Sequence, residues 1–265
     1  MNDLVSVVIP AYNAENTIIE CLKSVKEQTY TNLEVIVIND GSKDNTAGIL
    51  ETYKKENKDF PLIIYTIKNS GPATARNIGI KHSRGKYIAF LDSDDKWLPT
   101  KIEKQIYYLE KYPEINLLGC DYTIGKSSRT DKDGIMFISK RQLLFKNPFP
   151  TPCVILRKQI IQDNLYFSEG KKFSEDYFLW LNIAFNNHKC AKLHEKLTIL
   201  DDKPTYGHKG LSSRLWDMEK GELSNYKYVY DNSKISLGLF SRAAIFSLLK
   251  FCKRIILTHI RKFIK

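Results

Sequence analysis

Three carboxylates fall within four residues at Asp92-Ser93-Asp94-Asp95, directly after the apolar run Tyr87-Ile88-Ala89-Phe90-Leu91. Side chains of one sign crowded this closely repel one another unless a cation or a set of donors sits among them. A hard divalent ion with oxygen ligands meets that need, and such ions keep waters and substrate phosphates as their remaining ligands. The same residues would also serve as an acidic turn ahead of the helix after Pro99, so the string alone does not decide. A second acidic pair, Glu175-Asp176, opens a run that carries Phe178, Leu179, Leu181 and Ile183. From position alone that pair reads as first-turn acids favoured by the helix dipole.

These residues must be positioned by the elements around them. The run at 86–91 is apolar after its first residue, as expected of a central parallel strand covered on both faces. Its carboxyl end is where open α/β sheets place their ligands. Further strands are expected at 5–9, 33–38 and 62–67, each a short β-branched or aliphatic run. Helices are expected between them at 14–28, where Ile18, Ile19, Leu22 and Val25 share helical spacing, at 44–58 with Asp44 as cap, and at 72–83. The order βαβαβαβ implies a parallel sheet with right-handed crossovers and helices on both faces. Beyond Trp97 the alternation loosens. The pattern predicts helices at 99–112, 139–146, 174–187 and 214–230 and from 235 onward, strands at 115–122 and 154–156, and loops at 125–134 and 201–213. No internal repeat is present. The chain divides into a main domain at 1–213, with halves 1–100 and 101–213, and a helical extension at 214–265.

Bulk composition narrows the classes. A chain of 265 residues, 43% hydrophobic and 12% aromatic, can bury a substantial core. The start, Met1-Asn2-Asp3, runs directly into a strand-like stretch without a signal peptide, and no run reaches transmembrane length. Five scattered cysteines with no CxxC pair predict reduced thiols in a cytoplasmic protein. The net charge of +11 is concentrated: from Lys234 onward there are eight Lys or Arg and no Asp or Glu. The rest of the chain sets 33 basic against 30 acidic residues, which argues against a nucleic-acid groove.

The strand ends should lie along one sheet edge. They deliver Pro10-Ala11-Tyr12-Asn13, Asp40-Gly41-Ser42, Asn69-Ser70-Gly71 and the carboxylates. Neither the GxGxxG of dinucleotide-binding folds nor the GxxxxGK[ST] of P-loop proteins is present. Four ordered motifs instead carry a resemblance: Val7 to Asn13, Val37 to Ser42, Gly71-Pro72-Ala73-Thr74-Ala75-Arg76-Asn77-Ile78-Gly79, and Leu91 to Asp95. Together they resemble the family 2 glycosyltransferases of GT-A fold, densely over the first 100 residues and more weakly through Ser174-Glu175-Asp176-Tyr177. The resemblance implies an α/β fold with a mixed, mainly parallel sheet flanked by helices, and an inverting sugar transfer.

It also implies roles. Asp40 would accept a hydrogen bond from the nucleotide base, most often uracil, because an ionised carboxylate suits the imide N–H. Pro10, Ala11 and Tyr12 would line the nucleoside pocket, with Asn69 and Ser93 nearby. Asp94 would bind Mn²⁺ or Mg²⁺, with Asp92 contacting the ribose or completing the metal shell and Asp95 supporting them from behind or touching the sugar. Arg76 would reach the donor or pair with the carboxylates. Gly71 and Gly79 would serve backbone geometry and close helix–strand packing. Asp176 would be the catalytic base that takes the acceptor's proton. His208, in Tyr206-Gly207-His208-Lys209-Gly210, would add a metal or diphosphate ligand, as a comparable loop does in some members of the family.

In the tail, Lys250, Arg254, Arg261 and Lys265 fall on one helical side, opposite Ile245, Leu249, Cys252, Ile256, Ile260 and Phe263. Such a helix suits an anionic membrane surface, or else packs on the domain with a solvated basic face. The resulting expectation is a metal-dependent transferase at the inner face of the cell membrane, moving sugar from a UDP-sugar to a glycan or lipid-linked acceptor. Its rivals are a sugar-1-phosphate nucleotidylyltransferase, which would need a Gly-rich, Arg-bearing loop after the first strand, and a non-catalytic nucleotide-sugar or membrane-binding module.

Overall fold

A computed structural model of the protein describes residues 3–124, 134–200 and 214–263. The first half alternates as its periodicity predicts. The elements are β1 (Val5–Ala11), α1 (Ile18–Lys26), β2 (Leu33–Asn39), α2 (Thr46–Glu56), β3 (Leu62–Thr66), α3 (Pro72–His82) and β4 (Tyr87–Phe90). Strands β1 to β4 are parallel, with β1 between β2 and β4 and β3 on the outer side of β2. The second half contributes β5 (Lys96–Trp97), α4 (Lys101–Lys111), β6 (Ile115–Ile124), β7 (Ile135–Ile138), α5 (Lys140–Phe145) and β8 (Ile155–Arg157). It continues through α6 (Glu175–Phe185), β9 (Lys189–Leu200), α7 (Leu215–Asp231) and α8 (Leu237–Phe263). Strand β8 enters antiparallel between β4 and β6, and β9 lies parallel to β6, so one mixed sheet runs β3-β2-β1-β4-β8-β6-β9-β5 with β7 also on β9.

Continuous apolar strands are explained by the two layers they serve. Along β1, Val5, Val7 and Ile9 point into the core beneath α1, α2 and α4, and Val8 points into the other core, beneath α3, α5 and α6. Along β4, Tyr87 and Ala89 go one way and Ile88 and Phe90 the other. Each fully buried aliphatic of this kind stabilises by roughly 1.5–3 kcal/mol relative to exposure. Gly79 fulfils its expected packing role. A Cβ there would lie 2.4 Å from Val8 Cγ1, so only glycine lets α3 sit this close to β1.

Strands β5, β7 and β9 were not legible in the sequence. In β9 the alternation is interrupted where its register with β6 shifts between Gly119/Asp121 and Asp121/Tyr122. The helices α7 and α8 share the second core, through Tyr226, Val229 and Ala243. Here the basic side of the tail differs from expectation. Lys250 Nζ donates to Glu222 Oε1 at 2.6 Å and to the Phe145 carbonyl at 3.2 Å, and Arg254 Nη2 lies 3.7 Å from Glu222 Oε2. The buried Glu222 carboxylate draws both cations inward, and the apolar side is left facing out: Ile245, Leu249 and Ile256 are 59%, 63% and 58% exposed. Among the described residues no helix is long and apolar enough to cross a membrane.

Candidate functional site

The carboxyl ends of β1, β2 and β4 open into a cleft of about 800 Å³. Its lining includes every described residue expected at the site: Pro10, Ala11, Tyr12, Asp40, Asn69, Arg76, Asp92, Ser93, Asp94 and Asp176. His208 lies outside the described residues.

At the β1–β2 end the backbone is folded around Asp40. Its N–H donates to the Ala11 carbonyl at 2.8 Å, and its two carboxylate oxygens accept the N–H groups of Ser70 at 2.7 Å and Gly71 at 2.8 Å. Asp40 therefore ties the turn after β3 to the turn after β2. Each oxygen still has a second lone pair for a ligand. The approach of the two turns needs Gly41, which has φ of +67° and whose added Cβ would lie 2.7 Å from the Asn69 nitrogen. Tyr12 is 45% exposed and stands at this end with its ring open to the cleft. The cap position of α2 is Asn45 rather than the expected Asp44, whose Oδ1 accepts the Thr46 N–H at 3.1 Å from one residue further out.

At the centre, Arg76 lines the cleft and is ion-paired with carboxylates. Its guanidinium is buried, donating from Nη2 to Asp92 Oδ1 at 2.7 Å and from Nη1 to Glu175 Oε1 at 3.1 Å, with the Phe167 ring centroid 5.2 Å away. Burial works against this charge, and the carboxylates of Asp92 and Glu175 more than offset it, so the guanidinium is held firmly charged. One cation thus joins the acidic turn after β4 to the start of α6. Asp92 and Asp94 are half-buried at the cleft, and Asp95 is buried with its N–H on the Asp92 carbonyl at 3.0 Å. Among the described residues no three carboxylate, imidazole or thiolate groups converge on a ready-made metal site. The donor set is nevertheless the hard-oxygen kind that Mg²⁺ or Mn²⁺ takes when substrate oxygens complete the shell.

At the far wall, Asp176 occupies the first turn of α6. Oδ1 accepts the Tyr177 N–H at 2.6 Å, and Thr151 Oγ1 approaches Oδ2 at 3.5 Å. Desolvation, then the neighbouring Glu175 charge, push the Asp176 carboxyl up to about 7, against the pull of the Tyr177 N–H and Arg76. A carboxylate poised near neutrality inside a cleft is suited to taking a proton.

Sequence reasoning missed Thr151 and its neighbours Pro150 and Pro152, which line the cleft opposite the strand ends. They belong to an irregular segment fixed by tertiary bonds: Trp180 Nε1 donates to the Phe149 carbonyl at 3.0 Å, and Trp97 Nε1 to the Pro152 carbonyl at 2.8 Å. The cluster of prolines from 148 to 152 was the available signal. Met218 of α7 also reaches the cleft, so the extension contributes to its wall.

The chain is 34% identical over 195 residues to WfgD of Escherichia coli, a UDP-Glc:alpha-D-GlcNAc-diphosphoundecaprenol beta-1,3-glucosyltransferase, covering 71% of this chain and 72% of that protein. It is 37% identical over 214 residues to an uncharacterized glycosyltransferase of Rickettsia bellii, covering 76% of this chain but only 30% of that longer protein. Among solved structures, Staphylococcus aureus TarS 1-349 in complex with UDP-GlcNAc superposes with a TM-score of 0.73 at 21% identity, covering 92% of this chain and 71% of that one. The Pyrobaculum calidifontis mannosyltransferase PcManGT, in complex with GDP-Man and Mn²⁺, gives 0.73 at 14% identity, covering 98% and 76%. Both likenesses establish the fold. Residues 6–191 match the model of the family described as glycosyl transferase family 2, and the chain belongs to that family.

Proposed function

We propose that the protein transfers a sugar from a UDP-sugar to a lipid-linked glycan acceptor, with inversion at the anomeric carbon and with Mn²⁺ or Mg²⁺ as cofactor. The observation that carries this reading is the placement of Asp176 across one cleft from Asp40, Asp92 and Asp94. Asp40 receives the base, and Tyr12 with Pro10 and Ala11 encloses the nucleoside. Asp94, with Asp92, would hold the metal ion, which when bound neutralises charge on the departing diphosphate. Asp92 keeps one oxygen for that work, because Arg76 engages only Oδ1. Asp176 takes the proton of the acceptor hydroxyl as that oxygen attacks the face opposite the nucleotide. A single base suffices, since the metal assists the leaving group. The names of WfgD and WfaP, both UDP-Glc:alpha-D-GlcNAc-diphosphoundecaprenol beta-1,3-glucosyltransferases, support a diphospholipid-linked acceptor and a UDP-sugar donor.

We further infer that the chain works at the cytoplasmic face of a membrane, lying on it through α8. The support is its outward apolar stripe, Ile245, Leu249 and Ile256, with Arg242 and Lys253 also exposed. A screen of UDP-Glc, UDP-Gal, UDP-GlcNAc and UDP-GalNAc for acceptor-dependent UDP release, with and without EDTA, tests the activity. NMR of the product tests inversion: an α-linked donor should give a β-glycoside. Release that ignores EDTA, or an α-linked product, refutes the corresponding part of the reading.

A further inference from the structure

Asp176 stands in the first turn of α6, yet the start of that helix is not fixed by the device its sequence suggests. A serine at the cap position ordinarily turns its hydroxyl onto the free N–H groups of the first turn. Ser174 is the cap of α6 and makes no such bond. It lies instead in the left-handed region, at φ +55° and ψ +33°, which a residue with a Cβ adopts at a cost and keeps only where its surroundings impose it. Here α7 imposes it. The Ser174 carbonyl accepts the Phe178 N–H at 3.0 Å, which begins α6, and also Asn225 Nδ2 at 3.1 Å. The Ser174 hydroxyl donates to the Met218 carbonyl at 3.5 Å. Met218, Gly221 and Asn225 follow one another at spacings of three and four, so they share one face of α7. Gly221 permits the approach, since an added Cβ would lie 2.8 Å from the Phe173 carbonyl oxygen. Asn225 is fully buried, and its Oδ1 has no hydrogen-bond partner among the described residues. Burying a half-satisfied amide is unfavourable, and a group kept so calls for a role.

We propose that Asn225 is a positioning residue for the transfer: with Met218 and Gly221 it holds Ser174 in its left-handed conformation and so aims Asp176 into the cleft. The inference rests on Asp176 as the base. Asp176 follows two residues after Ser174, so a turn relaxed to ordinary backbone angles would carry its carboxylate away from the acceptor hydroxyl. The nucleoside end is independent of α7, because Asp40 is tied to Ser70 and Gly71 in the first half of the sheet. Helix α7 begins at Leu215, beyond residues 6–191 that match the family. The extension is thereby part of the catalytic unit, setting the aim of a base that the family-matched residues carry.

The test uses the full chain with Mn²⁺, the UDP-sugar that supports transfer, and N-acetylglucosamine joined through diphosphate to a short alkyl chain as acceptor. Asn225→Ala should lower kcat by about tenfold to a hundredfold, the scale of a misaimed catalytic group, while cooperative melting and UDP affinity by calorimetry are retained. Adding Ser174→Gly should recover most of the lost kcat, because glycine adopts the left-handed turn without help from α7. A merely structural role for Asn225 would not be rescued in that way. Gly221→Ala, whose Cβ presses on the Phe173 carbonyl, should lose kcat with the same retention of UDP affinity, and it decides the matter should Asn225→Ala not fold. Full kcat in either folded variant, a loss of UDP affinity in step with kcat, or a double variant no faster than Asn225→Ala overturns the inference and leaves Asp176 as the base. Asp176→Asn is the control on the reading beneath it. If that variant transfers as fast as the wild type, or the wild type glycosylates nothing, that reading falls and the inference with it.

Discussion

Replacing Glu175 with Gln should move the acidic limb of the pH–rate profile to lower pH, because Glu175 is the charged neighbour that helps hold a proton on Asp176. In the free enzyme the Asp176 carboxyl stands at about 7, raised by desolvation and then by Glu175. Below that pH it is protonated and cannot accept the acceptor's proton, so log kcat/KM should fall with unit slope as pH drops. Two like charges in a site of effective dielectric about 20 repel by about 2 kcal/mol at about 8 Å. Arg76 sits 3.1 Å from Glu175 and cancels a share of that repulsion. About 1.4 kcal/mol of net effect corresponds to a limb displaced by about one pH unit. Removal of the Glu175 charge also frees Arg76 to act on Asp176, which moves the limb the same way. The assay is initial-rate UDP release from pH 5 to 9 for wild type and Glu175→Gln, with UDP affinity by calorimetry as a control on the donor side. A limb that stays in place or moves to higher pH refutes the electrostatic reasoning. An inactive Glu175→Gln beside an active Asp176→Asn would falsify the assignment of the base.

Asp176→Asn should reduce turnover by about a hundredfold or more while keeping UDP affinity. The same variant should be stabilised at pH 8, by about 2–4 °C in Tm per kcal/mol, and not at pH 3. The sign follows from the raised carboxyl: its contribution to stability is present below the ordinary carboxylate range and lost as pH rises through about 7. Asp94→Ala should weaken UDP binding in Mn²⁺ and match the wild type in EDTA; equal affinities in both conditions would remove the metal role. Asp40→Ala should raise the UDP dissociation constant about tenfold and erode the preference for UDP over CDP, as read by calorimetry. Ile256→Glu or Leu249→Glu should release the protein from lipid vesicles. The wild-type association should depend only weakly on salt, since Lys250 and Arg254 are engaged by Glu222; a steep salt dependence would restore the basic face as the anchor.

The parts that were legible in the sequence are those whose cause is local. Strands β1, β2 and β4 are buried on both faces and so read as largely apolar runs, interrupted only by the buried Ser6, Glu34 and Asn39, and their ends fix which turns reach the cleft. Asp40, Asp92 and Asp94 sit at such ends, whereas the position of Asp176 alone reads as helix capping and its expected role came from the family resemblance. What escaped depends on partners far along the chain. Strand β9 carries Glu195 between Leu193 and Leu197, where the alternation set by Lys192, His194 and Lys196 calls for an apolar residue, and its bulge against β6 is a property of the pair. Thr151 reaches Asp176 only because Trp97 and Trp180 hold the irregular segment around it. The charge of Arg76 was visible, yet its function is set by Asp92, 16 residues away, and Glu175, 99 residues away. The same holds for the tail, where Lys250 and Arg254 share a side as expected but its direction is decided by Glu222, 28 residues before Lys250; Arg261 and Lys265 lie outside the described side chains. A helical pattern gives which residues share a face, and a buried carboxylate elsewhere decides which face turns inward. In this protein that choice turns Lys250 and Arg254 toward Glu222 and places the apolar side of α8 outward.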